Sequence, residues 1–283
     1  MVRVTASACA LTLTLTLGAG SALAAPPRRV PARSPAQVEM IYMTWPEIYD
    51  AIHKAGKTTA LIYNGGTEQR GPQCVLGGHT LMGERTAALI AEKLGNALVA
   101  PVMPFSPTGV SEDHPGGVSV PPAVFKAVNE AAVDSEVKNG FKNIILMGDH
   151  GGGQDVLAEV AKEKDAQYAP QGVHVYFCGD VYKKANDAFD AYLKAHHLPL
   201  SEHAGIPDTS EMIYFAGRRW VRMDKIAAGD PIPPPGQPPV LKVNNGVIGS
   251  AIGSSAALGR IAVDMKVDAA VKQIRGFLAS QAH

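Results

Sequence analysis

Short apolar segments alternate with amphipathic segments along most of the chain, and this alternation restricts the possible folds more than any other feature. Residues 58–63 form the apolar run of a buried strand, and residues 83–94 have the apolar spacing of a helix that ends at Gly95. The alternation continues with predicted strands at 97–103, 143–147 and 173–178 and predicted helices at 122–138, 154–163 and 180–196. A last helix is predicted at 256–278, with a break near Asp264. This order indicates an α/β fold, in which helices cover both faces of a mostly parallel sheet.

The charge of the chain is balanced, with 26 Lys and Arg residues against 26 Asp and Glu residues. A protein that binds nucleic acid through phosphate neutralisation needs a basic excess, so we expect no nucleic-acid partner. Hydrophobic residues make up 46% of the chain, which is ordinary for a globular core. We therefore expect one folded domain over residues 39–283, preceded by a lead rich in Pro and Arg at 25–38.

The first 24 residues have the pattern of a secretory signal peptide. Arg3 precedes an apolar run at 10–17, and small residues follow up to the A-x-A sequence at 22–24. The run is shorter than the roughly 20 apolar residues that a membrane span needs. We expect cleavage after Ala24, an exported (periplasmic or secreted) protein and no membrane attachment afterwards. Cys74 and Cys178 remain in the mature chain, and the sequence leaves open whether they form a disulfide.

Polar, glycine-rich turns follow the first and the third predicted strands, at residues 64–73 and 148–153. Ligands of open α/β sheets bind beyond the carboxyl ends of the strands, which selects these two turns as candidate site segments. Neither G-x-G-x-x-G nor the P-loop pattern occurs, and G-x-S-x-G is also missing from the sequence. The turns therefore favour neither a nucleotide site nor a serine hydrolase.

Four histidines lie in or near predicted loops: His79, His114, His150 and His203. Imidazole and carboxylate groups together are typical ligands of a catalytic divalent metal. The chain has no local H-x-x-x-H pair, so such a site would have to assemble from distant loops.

The order of six motifs resembles the creatininase (creatinine amidohydrolase) family. The motifs are T-E-Q-R-G-P, G-G-H-T, T-G-V-S-E-D-H-P-G-G-V-S, G-D-H-G-G-G, H-A-G-I-P-D-T-S and G-V-I-G-S. The corresponding family patterns include E-x-H-G-P-H-L-P, N-G-H-G-G-N and H-A-G-x-x-E-T-S. The resemblance implies a three-layer α/β/α sandwich, often assembled as a homohexamer. It also implies a divalent-metal hydrolase that opens cyclic amides, or removes formyl and peptide amides, with a metal-activated water.

The resemblance assigns roles to four residues that match the family patterns. Glu68 falls on a carboxylate ligand and His150 on the histidine ligand of the glycine turn. His203 falls on a histidine that transfers protons, and Asp208 on the glutamate that binds a second metal.

Three further positions depart from the family patterns. Arg70 and Gln73 stand where the family has histidines, and His79 stands where the family has an aspartate that bridges two metals. Arg70 cannot be a ligand, because its guanidinium stays protonated and offers no lone pair. We therefore expect one divalent ion (Zn, Mn or Fe) per chain at Glu68, His79 and His150, with Arg70 orienting an anionic group of the substrate or polarising its carbonyl.

Candidate substrate contacts are the polar or glycine positions of the same loops, namely Gln73, His114, Gly151 and Gly152. The leading hypothesis is an exported, metal-dependent amidohydrolase of the creatininase type. Two alternatives stay open: a non-catalytic periplasmic protein that binds a small anion, and a metal-dependent lactonase.

Overall fold

A computed structural model describes residues 37–280, and within that range the four strands of the main sheet run parallel in the order β2-β1-β3-β4. The strands are β1 (Thr59–Asn64), β2 (Ala97–Val99), β3 (Asn143–Gly148) and β4 (His174–Phe177), and a separate antiparallel pair is formed by β5 (Ser201–His203) and β6 (Ile248–Gly249). The α-helices are α1 (Trp45–His53), α2 (Gly78–Leu94), α3 (Pro122–Asn139), α4 (Gln154–Tyr168), α5 (Lys183–Ala195), α6 (Ile206–Ala216) and α7 (Ala256–Ala279). The predicted signal peptide and nearly all of the predicted lead lie outside the described residues.

The two central strands are β1 and β3, and every residue in both is buried. Parallel strands that are covered on both faces have such continuous apolar sequences, and β1 and β3 follow this rule. Their register pairs Thr59 with Asn143 and Asn64 with Gly148, so both strands end at the same level. The predicted α/β class with a mostly parallel sheet is confirmed.

Helices pack in two groups. Helices α3 and α4 contact each other and the central strands, whereas α2 packs against α7, and α7 also contacts α5 and α6. The apolar stripe of α7 includes Val263, Val267 and Val271, which belong to the main core. Its approach to α6 requires Gly259, because a Cβ atom there would lie 2.0 Å from the carbonyl oxygen of Ser210.

Helix α7 runs without interruption, so the predicted break near Asp264 is wrong. Asp264 lies on the exposed side of the helix and forms an ion pair with Arg260 one turn earlier, at 3.8 Å. An exposed i, i+4 pair of opposite charge is compatible with a continuous helix.

Two other predicted boundaries differ from those in the structure. The predicted strand at 97–103 ends at Val99, because Pro101 has no N–H to donate to the ladder. The helix predicted from residue 83 begins at Gly78, so His79 lies in its first turn rather than in a preceding loop. The sequence analysis did not predict α1, α6 or the β5–β6 pair.

Cys74 and Cys178 are both free thiols. Cys178 is fully buried, with Sγ 3.9 Å from the carbonyl oxygen of Ala270 in α7, and burial raises its pKa to about 12. Among the described residues, the helices lack the length and apolar character that a membrane span requires.

Candidate metal centre

The carboxyl ends of β1 and β3 bring two polar turns together. Asn64 ends β1 opposite Gly148, and its carbonyl oxygen accepts a hydrogen bond of 3.0 Å from the N–H of Asp149. Glu68 lies on the segment after β1, and His150 lies on the turn after β3. This edge of the sheet therefore holds the loops that the sequence analysis selected.

Glu68, His79 and His150 point their ligand atoms at one another. One carboxylate oxygen of Glu68 lies 2.9 Å from Nε2 of His79, and the other lies 3.1 Å from Nε2 of His150. One ligand atom from each residue falls within 4.8 Å of the others, a spacing that can hold a metal ion. Glu68 and His79 are buried and His150 is half-buried.

The second nitrogen of each imidazole is held by a neighbour, so that Nε2 faces Glu68. Nδ1 of His79 lies 3.2 Å from Oδ2 of Asp149, an acceptor that places a proton on Nδ1 and leaves the lone pair of Nε2 for a metal. Nδ1 of His150 accepts a hydrogen bond of 3.0 Å from the N–H of Gly152 and lies 3.2 Å from its carbonyl oxygen, and these contacts fix the orientation of the ring. The hydroxyl of Thr108 donates to Glu68 at 2.5 Å and orients the carboxylate. The donor set therefore fits a divalent ion such as Zn²⁺, Mn²⁺ or Fe²⁺.

Charges around Glu68 favour its ionised form. Burial opposes ionisation, but the neighbouring His150, His79 and Arg70 hold the pKa of Glu68 far below its usual range. Glu68 can therefore act as an anionic ligand.

Arg70 is completely buried behind the triad. Its guanidinium lies 2.5 Å from a carboxylate oxygen of Asp208 and 3.4 Å from Glu68, and it is not among the residues that line the adjacent pocket. The expected contact of Arg70 with an anionic substrate therefore has no support in this geometry. Asp208 is also held by the N–H of Ala204, which donates to its other oxygen at 2.8 Å.

His203 ends β5 and faces the triad from the opposite wall of the pocket. Its Nε2 lies 2.8 Å from the carbonyl oxygen of Gln69, which can only accept, so Nε2 carries a proton. Its Nδ1 lies 3.8 Å from Glu68, and burial lowers the pKa of the ring. His203 is therefore suited to be a neutral imidazole with a free lone pair on Nδ1.

The four expected substrate contacts lie in different environments. Gly151 lines the pocket, and Gly152 contributes its carbonyl group to the orientation of His150. Gln73 is fully buried and donates to the carbonyl oxygen of Ala204 at 2.7 Å, so it braces the loop instead of facing the pocket. His114 lies 3.0 Å from the carbonyl oxygen of Asn244 and is not part of the pocket lining. Of these four residues, the geometry supports a role at the pocket only for the two glycines.

The pocket in front of the triad has a volume of about 450 Å³ and is mainly polar. The sequence analysis missed several residues of its wall: Asp149, Tyr182, Asn186, Asp190, Glu211 and Lys266. Tyr182, Asn186 and Asp190 recur every four residues and thus share one face of α5 and the residue before it. Lys266 interrupts the apolar stripe of α7, and both patterns were available in the sequence as signals.

Charged side chains around the triad leave a negative excess. The cluster contains four carboxylates, Glu68, Asp149, Asp208 and Glu211, and two cationic side chains, Arg70 and Lys266, among the residues described. When all four carboxylates are ionised, two negative charges remain without a partner. Burial raises the pKa of Glu211 to about 7, so this carboxylate loses its charge most easily. A single divalent cation would neutralise the ionised cluster.

A family model for creatininase, described as creatinine amidohydrolase, matches residues 42–274. The chain belongs to the creatininase family. The match covers both strands that carry the site, the triad, and Lys266 in the last helix. Creatininases are amidohydrolases, and the triad of this chain is a possible metal site.

Solved creatininase structures have the same fold. The structure described as creatininase Mn is 22% identical, with a TM-score of 0.71 over 85% of this chain and 98% of that chain. A variant creatininase of the Zn-Zn type is 21% identical, with a TM-score of 0.69 and the same coverage. A variant creatininase complexed with creatine is 22% identical, with a TM-score of 0.69 and, again, 85% and 98% coverage. No curated protein matches the chain.

Proposed function

We propose that the chain is a metal-dependent amidohydrolase that hydrolyses a C–N bond in a cyclic amide or a related small amide. The convergence of Glu68 with Nε2 of His79 and His150 carries this proposal. The solved neighbours described as creatininase Mn and as the Zn-Zn type support a divalent metal such as Mn or Zn in this chain.

We further propose one divalent ion per chain. Arg70 fills the space between Glu68 and Asp208 with a buried positive charge, and this charge repels a second cation. The two excess negative charges of the cluster match one divalent ion, whereas two such ions would leave a positive excess in a buried site.

The residues of the site can divide the chemistry between them. A divalent ion at the triad supplies a Lewis acid, which polarises a substrate carbonyl and lowers the pKa of water. Nδ1 of His203 accepts a proton from the attacking water and returns it to the leaving nitrogen. Its Nε2–H bond to Gln69 keeps the ring in the orientation that this transfer requires.

The pocket favours a small, polar substrate, since its volume is about 450 Å³ and its lining is mainly polar. The polar face with Tyr182, Asn186 and Asp190 supplies donors and acceptors on the wall beside His150. One solved relative is complexed with creatine, a molecule of this size class.

The burial of Arg70 weakens the alternative of a non-catalytic protein that binds anions. Its guanidinium is neutralised by Asp208 and Glu68, so it offers no free charge to an anion in the pocket. A lactonase would use the same metal and the same proton acceptor, and only a comparison of substrates separates it from an amidohydrolase.

Export and assembly are parts of the same proposal. The signal pattern at residues 1–24 supports export to the periplasm or the medium. Helix α1 has no buried residue and exposes Trp45 (79%) and Tyr49 (54%), which supports a homo-oligomer such as the hexamer that the resemblance implies.

Elemental analysis and substrate turnover test the proposal together. The purified chain should contain about one divalent ion, lose activity with a chelator, and hydrolyse a member of a cyclic-amide panel in preference to the matching lactone. His150→Ala should remove both the metal and the activity while thermal unfolding stays cooperative, because His150 lies on a half-buried turn. His196→Ala, at the exposed end of α5, is the matched control and should change neither.

Retention of metal and activity by His150→Ala would show that the site is misplaced. A chain without bound metal that nevertheless binds small anions would support the non-catalytic alternative instead.

A further inference from the structure

Lys266 is a buried ammonium group in the apolar face of α7. Its side chain is 7% exposed, and its Nζ lies 2.6 Å from Oδ1 of Asp149 and 2.8 Å from Glu211. The preceding and following turns of the helix contribute Val263 and Ala270 to the core. Replacing a buried ion pair with apolar residues often leaves stability unchanged or improves it, so stability alone is a weak reason for a lysine here.

Asp149 connects this lysine to the metal triad. While one oxygen of Asp149 binds Lys266, the other lies 3.2 Å from Nδ1 of His79. Nε2 of His79 in turn lies 2.9 Å from Glu68. A hydrogen-bond chain therefore runs from α7 to the ring of His79, whose Nε2 is a candidate ligand atom, and Lys266 is two contacts behind His79.

We propose that Lys266 is a positioning residue for the metal site. Lys266 holds Asp149 in the orientation that keeps the proton of His79 on Nδ1, and Nε2 then faces the metal position. Without Lys266, the carboxylate of Asp149 is free to rotate, and the ring of His79 loses its fixed orientation. The inference rests on the proposed metal site. It adds that tight metal binding also requires Lys266, which is not a member of the triad.

Glu211 provides the matched control within the same cluster. It binds the same Nζ and is 1% exposed, but no hydrogen bond or ion pair found among residues 37–280 links it to a ligand of the triad. A change at Glu211 therefore disturbs the buried ion pairs while the chain from Lys266 through Asp149 to His79 stays complete.

Two explanations for Lys266 predict opposite signs in a metal titration. If Lys266 acted only through its positive charge, Lys266→Met would tighten binding of a cation and Glu211→Gln would weaken it. If Lys266 positions His79, Lys266→Met weakens binding, and it does so more strongly than Glu211→Gln. Loss of a partner that orients a metal-binding histidine typically lowers metal affinity by about 10- to 100-fold.

The experiment measures the Kd for Zn²⁺ of the full chain by competition with a chromophoric chelator. We expect Lys266→Met to raise the Kd by about 10- to 100-fold, and we expect Glu211→Gln, which removes one carboxylate of the cluster, to raise it by less than Lys266→Met does. Circular dichroism checks that each variant is folded. If Lys266→Met does not fold, Asp149→Asn carries the test, since it keeps the side-chain volume and should raise the Kd by a similar factor.

The combination of both changes provides an internal check. Lys266→Met with Asp149→Asn should cost no more affinity than the larger single effect, because both residues act through His79. An unchanged or lower Kd in folded Lys266→Met would overturn the inference while leaving the proposed function intact. A native chain that does not bind Zn²⁺ would overturn the proposed function and this inference together.

Discussion

Arg70 is a permanently charged side chain that the fold buries completely next to the candidate metal ligands. Its guanidinium contacts Asp208 and Glu68, both of which are carboxylates that could otherwise share a second ion. A cation and a guanidinium at the same carboxylates repel each other strongly when water is excluded. At the scale of single residues, the proposal of one metal per chain therefore depends on Arg70.

Restoring the family ligands at two positions should restore a second metal. Arg70→His and His79→Asp together make the cluster more negative by two charges, which a second divalent ion can balance. We expect about two ions per chain in the double variant and about one in the native chain, measured by elemental analysis after dialysis. His79→Asp alone should not gain an ion, because Arg70 still occupies the carboxylates. Two ions in the native chain would contradict this account of Arg70.

The first turn of α2 is built around Arg70. Gly78 begins the helix, and a Cβ atom on it would lie 2.5 Å from Cδ and 2.6 Å from Nε of Arg70. The arginine cannot move aside, since it is fully buried and ion-paired at both ends of its guanidinium. At the scale of the element, the start of α2 and the position of Arg70 are thus coupled by packing.

Gly78→Ala should therefore destabilise the protein even though alanine favours helices. Overpacking of this kind typically costs about 1–3 kcal/mol in the free energy of unfolding. Gly77→Ala is the control, because the nearest atom to its added Cβ would be 3.9 Å away in Leu81 and its φ of −78° suits any residue. Urea denaturation of both variants measures the difference, and equal stabilities would show that Arg70 adapts.

Asp230 holds the segment after it in place through its carboxylate. Backbone N–H groups of Lys242, Val243 and Asn244 donate to its two oxygens at 2.6, 2.7 and 2.9 Å. These hydrogen bonds, that of Val243 foremost, hold the pKa of Asp230 below its usual value. The proline-rich loop at 231–239 is closed by these hydrogen bonds to Asp230.

The anchoring by Asp230 should weaken in acid. A carboxylate with a lowered folded pKa stabilises fully above its unfolded pKa of about 3.9 and loses this effect as the pH falls toward the folded value. We expect the amide protection of residues 242–244, measured by hydrogen exchange, to be lower in Asp230→Asn than in the native chain at pH 6. The difference should shrink below about pH 4. Asp224→Asn, at an exposed aspartate, should leave the protection unchanged at both pH values.

At the scale of the whole molecule, the proposed export predicts which part of the chain remains in the mature protein. Cleavage after Ala24 predicts a mature protein that starts at Ala25. Intact mass spectrometry of protein from an exporting bacterial host should give the mass of residues 25–283. A product that retains residues 1–24 would contradict the export proposal.

The local sequence was enough to predict the α/β class and the loops of the site. Apolar runs such as 143–147 can only be buried strands when helices follow them at this spacing, and ligand loops follow from the strand ends. The helical period of the sequence also predicted most of α7, but it did not predict that the helix continues past Asp264. The local sequence does not show that a single charged residue lies on the exposed side of a helix. The start of α2 was set late by five residues, since the packing of Gly78 against Arg70 is a contact between segments.

The motifs were enough to select Glu68, Arg70, His79 and His150. They did not show which other side chains each of these residues contacts. The burial of Arg70 depends on Asp208, which is distant in the chain, and the orientation of His79 depends on Asp149 and on Lys266 in the last helix. The family pattern has a glycine where this chain has Asp149, and that departure was the available signal. Sequence therefore determined the class of fold through periodicity, and the types of ligand through the resemblance of its motifs to those of the family. Only the tertiary structure decided which charged side chains form ion pairs, because residues that are distant in the chain come into contact only when the helices pack on the sheet.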